Sequence, residues 1–257
     1  MIQISVVVIT LNEEKNLARC LDSVKNVADE IIIVDSLSTD NTVAIAHRYH
    51  AKVIQRAFTG YGDQKNFADL QATNDWILSL DADEALSPAL EQSILEVKKT
   101  PQYNAYLMPR LTNYCGKWIK HGGWYPDKKL RLFDRTKGTW KSANIHEYWQ
   151  LDNTAESTGL LKGDLLHYSY YTIADHVSVI SKFTEISARE AAMNNKDCSL
   201  LKIWIGPKWN FITNYLFRLG FMDGYYGYIV CKLSAYATMV KYIKTKQYAQ
   251  LKREGKF

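Results

Sequence analysis

Trp76-Ile77-Leu78-Ser79-Leu80-Asp81 is a short apolar run that ends in acid, and Ala82-Asp83-Glu84 follows it directly. A run of this length, rich in aliphatic side chains, reads as a buried β-strand. Three runs of the same kind precede it: Ile4 to Thr10, Glu30 to Asp35 and Lys52 to Arg56. Near-continuous apolar strands imply a parallel sheet covered on both faces. Between them, Leu17, Cys20, Leu21 and Val24 recur at helical spacing behind Glu13 and Glu14, which read as an acidic first turn. Asp40 is placed to cap a helix over Thr42 to His50, and Ser87-Pro88 opens another with proline at its first position. Strands and helices that alternate in this way predict an α/β fold, a doubly wound and mainly parallel sheet with helices on both faces. Such sheets bind ligands beyond the carboxyl ends of their strands, which is where the polar residues of this chain cluster.

The later sequence has a different texture. Tyr103 to Tyr170 is rich in Trp, Tyr, Gly and His without clear periodicity, and suggests short strands and loops laid over the sheet. From Thr172 the pattern is helical again, with Val177, Ile180, Phe183, Ile186 and Ala191 expected on one buried face. The chain therefore divides into an α/β region over 1–105, a middle region suited to an acceptor over 106–170, and a basic, aromatic C-terminal helical extension over 171–257. No internal repeat is present.

The totals narrow the class. With 257 residues, 47% hydrophobic and 23% charged, the chain has the material for a large core and is neither disordered nor fibrous. Cys20, Cys115, Cys198 and Cys231 are scattered without metal-ligand spacing and read as reduced thiols, which favours the cytosol. The start has no basic segment ahead of its apolar run, so no secretory signal is expected. A membrane-crossing helix is not expected either, because Arg218, Asp223, Lys232 and Lys241 interrupt the most apolar region. The net charge of +5 is uneven: ten Lys or Arg from position 200 onward face only Asp223 and Glu254, a balance of +8 that leaves −3 elsewhere. The stretch Phe211 to Ile243, flanked by Lys241, Lys244, Lys246, Lys252 and Arg253, suits an anionic membrane surface. It suits equally a pair of amphipathic helices that cover the sheet or form a dimer interface. No nucleic-acid motif accompanies the basic tail, so nucleic acid is not an expected partner.

The chemistry concentrates at Asp81-Ala82-Asp83. Residues two apart in an extended chain point to one side, so both carboxylates can meet one ligand. Mg²⁺ and Mn²⁺ prefer oxygen ligands and are commonly held by one or two carboxylates together with phosphate oxygens, so this pattern suits a metal-diphosphate. Competing nucleotide chemistries lack their signatures. No G-x-G-x-x-G follows any strand, and Thr10-Leu11-Asn12-Glu13 stands where a nucleotidyltransferase carries a glycine-rich phosphate loop.

Four segments together resemble glycosyltransferase family 2, which has a nucleotide-sugar-binding fold called GT-A. They are Val8 to Glu14, Ile33 to Asp40, Gly60 to Ala68, and the D-A-D of strand four, in the family's order. The resemblance implies that Thr10, Asn12 and Glu13 lie near the nucleoside and that Asp35 accepts a hydrogen bond from a uracil ring. It implies that Lys65, with Asn66 beside it, faces the diphosphate, where many relatives carry arginine. It further implies that Asp81 and Ala82 lie along the nucleotide sugar, with Asp81 at the ribose or metal and Asp83 the direct ligand of Mg²⁺ or Mn²⁺. For Asp40 a capping role is the better reading.

Inverting transfer needs a general base for the acceptor hydroxyl. Glu147, in Asn144-Ile145-His146-Glu147-Tyr148, is the expected base and Asp127 the alternative. Trp124 to Asp127, Leu130 to Phe133 and His146-Glu147 resemble the lipopolysaccharide-core glucosyltransferase branch of the family. His121, Trp124 and Arg131 are candidate contacts to acceptor or diphosphate, although aromatic residues such as Trp124 also build cores. The resemblance implies transfer of one hexose, first of all glucose from UDP-glucose, to a sugar hydroxyl of a lipopolysaccharide inner core at the cytoplasmic membrane face; the alternatives are transfer to another polysaccharide or lipid-linked acceptor, and a nucleotide-sugar-binding protein that carries out no transfer. The Q-x-x-R-W pattern of processive synthases is absent.

Overall fold

In the computed structural model, which describes residues 1–143, 146–153 and 158–256, the four apolar runs are strands. In chain order the first elements are β1 (Ile4–Thr10), α1 (Leu17–Val24), β2 (Glu30–Asp35), α2 (Thr42–Arg48), β3 (Lys52–Gln55), α3 (Tyr61–Leu70), β4 (Trp76–Asp81), β5 (Glu84–Leu86) and α4 (Pro88–Lys99). There follow β6 (Ala105–Tyr114), β7 (Lys117–Ile119), β8 (Asp127–Asp134), β9 (Gly138–Ala143), β10 (His146–Leu151), β11 (Gly159–Leu160) and β12 (Leu165–Tyr170). Three helices close the chain: α5 (Ile173–Met193), α6 (Leu200–Ile212) and α7 (Gly224–Arg253). Two compact units result, one of Met1–Leu111 with Asp127–Tyr168, the other of Thr112–Pro126 with Ser169–Phe257.

In the first unit the sheet runs β3-β2-β1-β4-β8-β6-β12-β5. β3, β2, β1 and β4 are parallel, as their near-continuous apolar character predicts. Beyond β4 the sheet turns antiparallel through β8 and β6. The middle region thus extends the sheet instead of lying over it, because no helix intervenes between β6 and β8 to return the chain in the parallel sense. The separate hairpin β9–β10 is antiparallel.

Strand alternation explains both hydrophobic layers. Ile4, Val6 and Val8 of β1 face Leu17, Leu21 and Val24 of α1, Ile45 of α2 and Leu90 and Ile94 of α4. Val7 faces the other way, with Ile32, Val34, Ala68 of α3, Phe133 and the indoles of Trp140 and Trp149. Ser87 caps α4 by accepting the Leu90 N–H, with Pro88 as the first helical residue. Two local expectations need correction. Glu13 and Glu14 precede α1 instead of occupying its first turn, because the helix starts only at Leu17. Asn41 is the capping position of α2, yet the Asp40 carboxylate accepts the Thr42 N–H and hydroxyl and the Glu14 N–H, so it ties the helix start to the turn after β1.

The second unit is built on α5, α6 and α7, with β7 paired to the end of β6. Its core holds Tyr114, Ile119 and Val230, and the Tyr114 hydroxyl meets His176 Nδ1 at 3.1 Å. The buried stripe of α5 is His176, Ile180, Thr184, Ala188 and Ala192, not the expected set: Val177 and Phe183 are exposed. His176 is drawn inward by the Tyr114 hydroxyl and the Trp124 and Tyr170 rings, and the stripe continues from it at four-residue spacing, which leaves Val177 and Phe183 one position off the buried line. Among the described residues no helix is long and apolar enough to cross a membrane.

Leu78 has no exposed surface and lies in the middle of β4. Leu78→Ala is expected to lower unfolding free energy by about 2–5 kcal/mol, as a core cavity would. Urea unfolding followed by circular dichroism measures it.

Candidate active site

Parallel register sets the site. Thr10 pairs with Asp35, and Ile9 with Asp81, so the polar ends of β1, β2 and β4 emerge at one sheet edge. At the β1–β2 corner, the Thr10 hydroxyl donates to Asp35 Oδ1 at 2.9 Å, and Ser38 donates its N–H to Oδ2 and its hydroxyl to Oδ1. Asp35 is fully buried. Asn12, at positive φ, donates its N–H to Ser38 Oγ and accepts the Thr39 N–H, which locks the two turns together. Glu13 accepts from the Asn16 amide, and its carboxyl is raised by burial and by the nearby charges of Asp83, Asp40 and Asp81.

At the end of β4 the two aspartates have different partners. Asp81 Oδ1 lies 2.8 Å from Lys65 Nζ and its Oδ2 2.5 Å from Arg131 Nη2. Burial alone would raise the Asp81 carboxyl, but Arg131 and Lys65 outweigh it and hold the group well below the usual carboxylate range. Ala82 is buried between the aspartates. Asp83 Oδ2 lies 3.2 Å from His167 Nε2 on β12, and the Asp83 carbonyl accepts the Tyr168 N–H.

Lys65, on α3, has no exposed surface, and its ammonium lies 3.1 Å from Glu147 Oε1 as well as against Asp81. The Trp140 ring stands beneath it, 4.7 Å away. Glu147, Asp81, Lys65 and Arg131 thus form one network. Asn144 and Ile145 of the Glu147 motif lie outside the described residues. The neighbouring Asn66 is committed to the hairpin: its amide donates to the Trp140 carbonyl and accepts from Thr139 Oγ1 and Trp140 N–H. Asp127 pairs with Arg110 at 2.6 Å and Lys129 at 3.1 Å, and burial notwithstanding, these cations hold its carboxyl low. His121 and Trp124 belong to the second unit. There His121 Nδ1 meets Asp223 Oδ1 at 2.9 Å, and Trp124 packs on Tyr114, Tyr170 and His176.

Three contributors escape the sequence reading. Glu84 is completely buried; it accepts the Asp81 N–H and pairs with Arg131 at 2.9 Å and Arg110 at 3.3 Å. Its adjacency to the D-A-D motif was the only signal. Arg110 and His167 gave none, because each reaches the cluster by strand pairing across the sheet. Asp83 and His167 together offer carboxylate and imidazole donors. Among the described residues no group of three or more His, Cys, Asp or Glu forms a ready metal cage. A divalent cation that keeps water and phosphate oxygens needs only one or two protein ligands, so the Asp83–His167 pair fits one.

The chain belongs to glycosyl transferase family 2, whose family model matches residues 5–154. An uncharacterized glycosyltransferase of Rickettsia typhi is 31% identical over 95% of this chain and 87% of its own length. The lipopolysaccharide core biosynthesis glycosyltransferase LpsC of Rhizobium meliloti is 28% identical over 86% of this chain and 82% of its own. Among solved structures, glucosyl-3-phosphoglycerate synthase of Mycobacterium tuberculosis with Mn²⁺, UDP and glucosyl-3-phosphoglycerate is 24% identical, with a TM-score of 0.36. That likeness covers 44% of each chain.

Asp69, one helical turn beyond Lys65, accepts from Trp140 Nε1 through one oxygen, while the other has no hydrogen-bond partner. Burial raises its carboxyl to about 7, against the lowering effects of Trp140, Lys65 and Arg135. The folded state therefore keeps a proton that the unfolded chain loses near the ordinary value. Stability from this group is greatest at low pH and falls as pH rises from about 4 to about 7, by on the order of 4 kcal/mol. Asp69→Asn is expected to flatten that decline in urea unfolding measured across the range.

Proposed function

We propose that the protein is a metal-dependent inverting hexosyltransferase that moves a sugar, glucose from UDP-glucose in the first instance, to a hydroxyl of a lipopolysaccharide inner-core saccharide at the cytoplasmic membrane face. The observation that carries the reading is the junction of Asp81, Asp83, Lys65, Arg131 and Glu147 at the carboxyl edge of a parallel sheet. Similarity to LpsC, a lipopolysaccharide core biosynthesis glycosyltransferase by name, supports the acceptor class.

In this reading the turns after β1 and β2, with Thr10, Asn12, Glu13 and Asp35, frame the nucleoside. Asp83 and His167 would hold Mg²⁺ or Mn²⁺, which when bound offsets charge on the diphosphate. Lys65 and Arg131 orient Asp81 and set positive charge against the negative charge that builds on the leaving diphosphate. Glu147 takes the proton of the acceptor hydroxyl while that oxygen bonds the anomeric carbon; the bond from that carbon to the diphosphate oxygen breaks, and UDP departs with the electron pair. Attack from the face opposite the leaving group inverts the anomeric configuration.

The test begins with thermal stabilisation by a panel of nucleotide sugars with and without Mn²⁺. A metal-dependent rise in melting temperature with a UDP-sugar, lost in Asp83→Ala and weakened in His167→Ala, is expected, since a ligand bound only by the folded state must stabilise it. No response to any nucleotide sugar overturns the donor assignment. Glu147→Gln is expected to keep that stabilisation while transfer slows by about 10²–10⁴-fold, the usual worth of a general base. Loss of transfer in Asp127→Asn with Glu147→Gln left active would move the base to Asp127.

A further inference from the structure

The helix α6 has no buried residue along its length. One side rests on α7 in the same unit, and the other carries Leu201 at 68% exposure, Trp204 at 69%, Ile205 at 54% and Trp209 at 60%. At the helical period these side chains fall on one broad arc with Lys208, and Lys202 stands at the edge of that arc, its ammonium 5.1 Å from the Tyr242 ring of α7. The turn that follows continues the surface with exposed Leu216, Phe217, Phe221 and Met222. An apolar face of this size in water is the mark of an interaction site.

The charge on this face selects its occupant. Residues 198–222 contain Lys202, Lys208 and Arg218 and no Asp or Glu. Asp223, the next acid, is buried and engaged with the Lys120 and His121 backbone and the His121 ring. A second copy docking through the same face would bring like charges together, whereas an anionic surface is complementary. Between α6 and α7 lies a groove of about 560 Å³, lined by Phe211, Ile212, Tyr236 and Met239, with Lys208 and Lys232 along it. The Lys232 ammonium stands 4.4 Å from the Phe211 ring centre. Apolar walls with ammonium groups along them match an acyl chain beneath a phosphate headgroup. The two tryptophans suit the boundary between hydrocarbon and water, and the lysines can lie along the apolar surface with their charges at headgroup level.

We propose that the outward face of α6, with the turn after it, lies in the surface of an anionic phospholipid bilayer as an in-plane anchor. The sequence suited Phe211 to Ile243 equally to a membrane surface and to helix packing; the proposal centres the membrane contact on α6 instead. The anchor is independent of which sugar is transferred.

The experiment is co-sedimentation of the full chain with vesicles of phosphatidylethanolamine containing phosphatidylglycerol, against vesicles of phosphatidylcholine alone. Binding to the anionic vesicles is expected, falling at high salt and at least about tenfold in Trp204→Glu/Trp209→Glu and in Lys202→Gln/Lys208→Gln. Circular dichroism melts of both variants, which alter only exposed positions, confirm that they fold. Asp83→Ala is expected to bind vesicles as the unmodified chain does, which separates this proposal from the donor-site reading. Absence of binding to anionic vesicles, or binding that neither folded variant weakens, overturns it. So does concentration-dependent dimerisation in lipid-free sedimentation that the tryptophan variant abolishes, which would assign the face to a second copy.

Discussion

A lysine ammonium with no exposed surface is tolerable only against compensating charge, and Lys65 finds it in two carboxylates from distant parts of the chain. Asp81 is delivered by the end of β4 and Glu147 by the hairpin β9–β10, while Lys65 itself stands on α3. Removing the ammonium would leave both carboxylates facing each other across a gap. Asn66, the next residue, binds the backbone of β9, so the same helix that supplies the cation also fastens the hairpin that carries Glu147. The Trp140 and Trp149 indoles then close the layer over Phe133, with Trp149 stacked on it at 4.4 Å. Charge compensation and apolar packing therefore act on the same elements, and each makes the other's geometry reproducible.

The two aspartates of D-A-D are chemically alike and structurally unlike. Asp81 is spent on Lys65 and Arg131, and Arg131 is in turn held by Glu84, whose burial is complete. Burial would ease the proton off Arg131, but Asp81 and Glu84 hold it on more firmly than in water. Asp83 turns instead toward His167. Backbone connectivity explains the difference. The Asp81 N–H is bonded to Glu84 within a tight turn, whereas the Asp83 carbonyl is paired to β12, which sets its side chain beside an imidazole on that strand. A chain that alternates in direction at this turn thus presents one carboxylate to fixed cations and the other to a site where an added cation fits.

In the second unit, apolar side chains that the core does not need are concentrated on one helix. α5 buries His176 and Ile180 and then the smaller Thr184, Ala188 and Ala192, α7 buries mostly small residues, and α6 lies beside α7 without contributing a buried residue. The absence of acid over the same stretch makes its surface both greasy and positive, a combination that neither the core nor water favours.

Local sequence determined what depends on neighbours along the chain. The aliphatic runs of β1, β2 and β4, the Ser87-Pro88 helix start and the acidic terminus of β4 were legible because strand alternation, capping and proline geometry act within a few residues. The alternation of these strands with helical segments gave the α/β class for the same reason, and the family's motifs, three of them at those strand ends and one on α3, added the GT-A resemblance. Tertiary structure alone decided the rest. That β6 and β8 join the central sheet in the antiparallel sense, that His176 and Thr184 lie on the buried side of α5 where Val177 and Phe183 were expected, that Arg110 and His167 enter the site, and that Glu84 is held there by Arg131 and Arg110 all follow from pairings across the fold. Lys65 and Glu147 are 82 residues apart, and no periodicity in a sequence reports that two charges so separated will share one buried position. The burial of an ammonium, which forbids it to stand alone, and the packing of the hairpin on α3 bring them together.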